Sequence, residues 1–234
     1  MNDVLTTNKN GKPKDRKEED MIRFSFTITY ILLLTTGTIT FIEALRTDNP
    51  VVRHILNLET CISIVAGYFY SIFLQDLDLS KGGVDWQDIT KTRYTDWCIT
   101  TPIMLLTLCV VLGMHTNRPI HFPVFLLIVV CDYIMLYIGY LGDTGKWGRN
   151  EASMLGFIPF FGMFAIIFYT FVRPKYVQTN YILFGLYFVI WGMYGMVYLL
   201  DEVSKNIALN FLDLVAKCFI GLGLWVYYTK VIVK

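Results

Sequence analysis

IALNFLDLVAKCFIGLGLWVYYT, residues 207–229, is apolar enough and long enough to cross a bilayer as a helix, yet it carries Lys217 near its middle. About 20 predominantly apolar residues suffice to span the hydrocarbon core. A charged side chain at that depth costs at least ~2.5–3.5 kcal/mol on insertion scales, so an intramembrane lysine is a functional signal first. Asp213 stands one turn earlier at i−4, on the same helix face, where it supplies the counter-charge. An amine buried beside a carboxylate suits a Schiff base with a carbonyl compound. A purely structural ion pair is the alternative that this helix alone leaves open.

The rest of the chain is of the same kind. With 55% hydrophobic and 17% charged residues in 234, it is too apolar for a soluble domain. Hydropathy marks seven segments of spanning length, at 24–45, 52–75, 92–113, 121–141, 152–172, 178–200 and 207–232. They predict an all-α membrane protein, a seven-transmembrane-helix bundle over residues 24–234, preceded by a polar, disordered tail over residues 1–23. The first segment follows polar residues without a small-residue cleavage site, so it reads as a span rather than a signal peptide. The basic run Lys9–Lys17 is broken by Asp15 and followed by Glu18, Glu19 and Asp20, which fits a solvated tail and no nucleic-acid partner. All five cysteines fall in spans and read as buried packing thiols. Charge counting does not orient the bundle, because the basic tail reverses the slight bias of the loops.

The third segment contributes a second set of polar residues. In Arg93-Tyr94-Thr95-Asp96-Trp97-Cys98-Ile99-Thr100-Thr101-Pro102, the helical period places Arg93, Asp96, Thr100 and Thr107 along one stripe. Pro102 interrupts the backbone ladder, and Thr100 and Thr101 are expected to satisfy or polarise the freed groups. Arg93 and a protonated Lys217 then face Asp96 and Asp213, a balance that limits the desolvation of any one charge. In the sixth segment Trp191, Tyr194 and Tyr198 form an aromatic stripe, with Gly192 and Gly195 between them. The fourth carries Asp132, Met135 and Gly139 on one face.

Taken together, Arg93-Tyr94-x-Asp96-Trp97-x-x-Thr100-Thr101-Pro102, Trp191-x-x-Tyr194 and Asp213-x-x-x-Lys217 resemble the microbial (type 1) rhodopsins over nearly the whole span region. The likeness is to proton-pumping members of the proteorhodopsin-like or viral kind. The resemblance implies an internal pocket for all-trans retinal, bound to Lys217 as a protonated Schiff base. Asp96 matches the primary counter-ion and proton acceptor, Asp213 the second counter-ion, and Arg93 the arginine that couples them to the exit side. Trp97 and Trp191 match the rings that sandwich the polyene, with Tyr70, Met104, Met135, Gly139, Tyr194 and Tyr198 at other pocket positions. Thr101 and Asp132 match a hydrogen-bonded pair between helices three and four. The resemblance also places the N-terminus outside a plasma membrane and allows a homo-oligomer.

Four residues depart from that pattern. Gly195 stands where a proline is usual and is expected to soften helix six. Tyr198 replaces a frequent tryptophan, and Met104 favours green absorption. Thr107 stands where many outward pumps carry the carboxylic proton donor. Glu59, within Asn57-Leu58-Glu59-Thr60-Cys61, is expected to replace that donor, hydrogen-bonded to Thr107 and protonated in the dark. Glu43 is a weaker candidate, near the inlet. Asp201 and Glu202 are candidates for a release group on the opposite side, or ordinary loop charges. Gly156 and Gly162 are read as a window for a carotenoid antenna.

The function expected is a light-driven outward proton pump and not an enzyme. A light-gated cation channel is the first rival, drawing on Thr107 and on Glu43 and Glu59 as pore carboxylates. A photosensor acting through a separate membrane transducer is the second. Asp96 disfavours a chloride pump, the lack of an Asn–Asp–Gln pattern disfavours a sodium pump, and short loops disfavour a receptor for a diffusible ligand.

Overall fold

The computed structural model describes residues 16–79 and 84–229. Seven helices long and apolar enough to cross a membrane make an integral multi-pass bundle. They are α1 (Arg16–Arg46), α2 (Pro50–Leu79), α3 (Trp86–Thr116), α4 (Phe122–Asp143), α5 (Arg149–Val172), α6 (Gln178–Val197) and α7 (Glu202–Thr229). Each packs on its neighbours in sequence, and α7 closes the ring against α1. All of α1, α3, α5 and α7 therefore begin at one face of the bundle, here the N-terminal face; α2, α4 and α6 begin at the C-terminal face.

Local chemistry sets the ends. Asn49 Oδ1 accepts from the backbone N–H of Val51 and Val52 at 3.0 and 3.3 Å, and Pro50 opens α2 where no N–H is needed. Asp85 caps α3 through Gln87 N at 2.9 Å, and Asp201 caps α7 through Ser204 N at 3.1 Å. That N–H holds the Asp201 carboxyl below the usual carboxylate range. Asn117 ends α3 in the left-handed region at φ 56°, a conformation that asparagine tolerates.

Three helix starts differ most from the sequence expectation. Helix α1 starts at Arg16, inside the segment read as a tail to residue 23, with Glu18 and Glu19 in its first turn, where acidic side chains complement the helix dipole. The remainder of that tail, residues 1–15, lies outside the described residues, and with it most of the basic run. Helix α3 starts at Trp86 rather than 92, and α7 at Glu202 rather than 207. The early turn of α7 is polar because Lys205 and Asn206 point into the bundle, both 2% exposed. Polarity that reads as loop is there an inward-facing ion network. The cysteines also divide: Cys109 and Cys218 are buried, while Cys61 and Cys98 are exposed on the outer surface of the helices.

The interior is unevenly shared. Over their most apolar windows α2, α3 and α7 are 56% buried, against 22–33% for the other four, so these three helices carry the inward-facing chemistry. In α7 the regular helix gives way to a π turn over Leu214–Phe219, which brackets Lys217. A second π turn, Phe168–Val172, ends α5. Single π turns inside helices recur at functional sites.

Candidate functional site

Lys217 is 1% exposed, and its Nζ lies 2.7 Å from Asp96 Oδ2 and 3.6 Å from Asp213 Oδ2. The carboxylate on the neighbouring helix is thus nearer than the one four residues back on α7. The two acids are held very differently. Asp213 accepts from Tyr70 Oη and Tyr194 Oη at 2.8 Å each and from Trp97 Nε1 at 3.4 Å, and Arg93 Nη1 stands 3.5 Å away. Hydrogen bonds and a cation of this kind stabilise the anion. Asp96 takes one hydrogen bond, from Lys217, and its Oδ1 has no partner among the described residues. One carboxylate is locked by its donors and the other keeps an unpaired oxygen.

Arg93 is anchored away from Lys217. Its Nη2 donates to Asn206 Oδ1 at 3.1 Å and Asn210 Oδ1 at 2.8 Å, and its guanidinium lies 5.1 Å from the Phe73 ring centre. Asn210 is tied in turn to Ser25 Oγ at 3.0 Å on α1. Neither asparagine was singled out from sequence. Their signal was present, since 202, 206, 210, 213 and 217 recur at helical spacing on one face of α7.

Closer to the N-terminal face lies a second cluster that sequence reasoning missed. Lys205 Nζ bonds Asp143 Oδ1 and Glu202 Oε2 at 2.9 Å each. Arg149 pairs with the same two carboxylates, and Tyr94 Oη donates to Asp143 Oδ2 at 3.2 Å. Asp201 and Glu202, read together as candidates for one role, are separated: Glu202 belongs to this network and Asp201 is an exposed helix cap.

Beside Lys217 a cavity of about 120 Å³ opens between α3, α4, α5 and α6. One water needs only ~10–15 Å³, so the space suits a sizeable ligand. Trp97, Thr101, Met104, Met135, Gly139, Trp191, Tyr194 and Tyr198 line it, together with Phe157, Phe160, Asp213 and Lys217. An apolar, aromatic-walled chamber with a buried amine at one end fits a long conjugated aldehyde such as retinal. Tyr70 is the exception: it lies outside this lining and acts on the Asp213 carboxylate instead. Gly156 lines the cavity while Gly162 does not, which leaves the carotenoid antenna unsupported.

The threonines of α3 take roles of their own. Thr100 Oγ1 donates to the Asp96 carbonyl at 2.9 Å, and Thr101 Oγ1 lies 2.7 Å from both the Trp97 carbonyl and Asp132 Oδ2. The carbonyl that Pro102 leaves without its helical N–H is that of Cys98, and Tyr133 Oη on α4 donates to it at 3.1 Å. Neither threonine reaches that carbonyl, contrary to expectation. Gly195 also has a packing reason, because a Cβ there would lie 2.6 Å from Phe157 Cζ.

Toward the C-terminal face Glu59 is 1% exposed, with its carboxyl interacting with Thr107 and its Oε1 unpartnered. Thr107 Oγ1 itself donates to the Ile103 carbonyl at 3.1 Å. Around it lies an apolar layer that includes Leu105, Leu108 and Leu112. Glu43 sits at the helix end, paired with Arg46 at 2.9 Å.

Comparison with known proteins gives one consistent result. The family model described as bacteriorhodopsin-like protein matches residues 20–231. Bacteriorhodopsin of Halobacterium salinarum is 25% identical over 211 residues, covering 82% of this chain and 78% of that protein. A green-light absorbing proteorhodopsin of a gamma-proteobacterium is 22% identical, covering 90% and 88%. The crystal structure of viral rhodopsin OLPVRII superposes with a TM-score of 0.84 at 44% identity, over 91% of this chain and 99% of that one.

Proposed function

The chain belongs to the bacteriorhodopsin-like family, whose members bind retinal through a lysine, and from its site we propose that it is a light-driven proton pump working outward. The observation that carries this reading is the contrast between the two acids beside Lys217: Asp213 is saturated with donors, while Asp96 has a free oxygen. Lys217 would hold all-trans retinal, which when bound would supply a light-driven isomerisation. Asp96 Oδ2, 2.7 Å from the Lys217 nitrogen, accepts its proton. Asp213 stays ionised, held by Tyr70, Tyr194 and Trp97, so a counter-charge remains when Asp96 is neutral.

The way out of the site is polar and connected. From Asp213, Arg93 leads to Asn206 and Asn210, with the Lys205 cluster beyond them on α7. The way in is apolar along α3, and beside that layer Glu59 holds a proton because a buried carboxylate without a cationic partner cannot be solvated there. Glu59 then reloads the Lys217 nitrogen from the opposite side to Asp96. A cation channel needs a continuous polar pore, and the apolar layer beside Glu59 argues against one in this resting form. The N-terminal face is outward in this scheme, and Trp97 and Trp191, which line the cavity, would hold the polyene.

Photocurrent in voltage-clamped cells supplied with all-trans retinal tests the reading. A steady outward current without an ion gradient, abolished in Asp96→Asn, is the expected result. A current that reverses at the cation equilibrium potential identifies a channel, and no current with a slow photocycle identifies a sensor.

A further inference from the structure

Eight buried side-chain atoms among the described residues have no hydrogen-bond partner, and their distribution is not even. Three belong to Arg93 and Asp96 beside Lys217, and one to Asp132. The other four, Thr36 Oγ1, Glu59 Oε1, Ser63 Oγ and Trp225 Nε1, come from α1, α2 and α7 and lie along one seam. Native proteins leave few such atoms unpaired, so four together call for a common cause.

The contacts order them. The Thr36 hydroxyl faces the thiol of Cys218, the residue after Lys217. A Cβ placed on Gly221 would lie 3.5 Å from Thr36 Cγ2 and 2.7 Å from Glu59 Oε2, so both side chains meet over that glycine. Ser63 stands one turn from Glu59 on α2, in the direction of Lys217, and packs against Gly37, where an added Cβ would lie 3.2 Å from Ser63 Cβ. Trp225 lies one turn beyond Gly221, toward the C-terminal face. On the α3 side, by contrast, Met104 and Leu105 lie between Thr107 and the Lys217 level, and both are at most 3% exposed.

We infer that protons pass from Glu59 to the Lys217 nitrogen along the α1–α2–α7 seam, with the hydroxyls of Ser63 and Thr36 as relay posts bridged by internal water. The inference rests on Glu59 as the donor. Each hydroxyl accepts a proton on its oxygen and releases its own to the next acceptor, so the net change is one proton lost from Glu59 and one gained at Lys217. Hydroxyls suit this task because each is both donor and acceptor. Buried water suits it because two or more polar partners hold each molecule. Gly221 leaves room for the Glu59 carboxyl to turn toward Thr36.

Flash photolysis of Thr36→Val/Ser63→Ala, Thr36→Ser/Ser63→Thr and Glu59→Gln in the full-length pigment decides the matter. The Val/Ala pair is expected to slow reloading of the Lys217 nitrogen by about tenfold, while transfer to Asp96 and the absorption maximum stay unchanged. The Ser/Thr pair keeps both hydroxyls and is expected to reload at the wild-type rate. Infrared spectroscopy of the retinal-free protein gives a second readout: the Glu59 C=O stretch shifts in the Val/Ala pair and not in the Ser/Thr pair. If Glu59→Gln reloads normally, the donor reading falls and the seam with it. If Glu59→Gln is slow but the Val/Ala pair reloads normally, the seam alone is overturned. If the Val/Ala pair fails to bind retinal, the infrared comparison decides by itself, an unmoved Glu59 band counting against the seam.

Discussion

The residues that face each other across the bundle differ in how much a substitution exposes. Lys205 is 2% exposed and is the shared cation of Asp143 and Glu202. Removing one partner of a buried ion pair typically costs ~3–5 kcal/mol, because the other charge is left uncompensated. Arg149 lies against both carboxylates, so Lys205→Met is expected to fall at the lower end of that range, seen as a lower melting temperature of the bound pigment. Lys205→Met with Asp143→Asn is expected to recover part of the loss, and a double variant no better than the single would show that the pair is not coupled. Asn210 makes a different case. Its Oδ1 accepts from Arg93 Nη2 at 2.8 Å, so Asn210→Leu leaves a buried guanidinium short of an acceptor. The expected cost is about 1.5–3 kcal/mol, with slower proton release to bulk solvent and unchanged transfer to Asp96, read by a pH-sensitive dye.

Helix boundaries and helix packing set the next group of consequences. Gly195 on α6 is in contact range of the Phe157 ring on α5, and Gly195→Ala forces a Cβ to 2.6 Å from it. Overpacking of this kind costs ~1–3 kcal/mol, and the contact lies in the cavity wall. Gly195→Ala is expected to take up retinal more slowly, and Phe157→Leu in the same chain to restore uptake. At the start of α7, Asp201→Ala removes a cap and is expected to cost ~0.5–2 kcal/mol. The folded-state pKa of Asp201 is depressed by the Ser204 N–H, so its contribution is present above its ordinary value near ~3.9 and is lost as the pH falls below it. Asp201→Asn keeps the acceptor and is expected to flatten that acid limb. Most helices were legible because each is apolar over a bilayer's thickness. The π turn around Lys217 was not, since no glycine or proline interrupts Leu214–Phe219 to announce it. The first turn of α7 was hidden for the opposite reason, its polar residues serving the interior.

Over the whole bundle, polarity is arranged along the axis rather than around it. Lys217, Asp96, Asp213 and Arg93 were readable because charges inside apolar helices stand out, whereas Asn206, Asn210 and Lys205 looked like ordinary polar residues. Their partners come from distant helices, which no local pattern records. In the proposed pump the same axis would give the transport its direction. If Asp96 passes its proton toward the N-terminal face and Glu59 is reloaded from the other, the sign of the photocurrent and the topology are one quantity. Lys146 lies exposed in the α4–α5 connection at the N-terminal face, and Arg118 in the α3–α4 connection at the opposite face. Lys146→Cys is therefore expected to react with a membrane-impermeant maleimide in intact cells, and Arg118→Cys only after lysis. The native Cys61 and Cys98, though exposed, lie within the helical spans, away from the aqueous reagent. The inverted labelling pattern together with an outward current would mean that protons leave on the Glu59 side, and Asp96 would then be the donor rather than the acceptor.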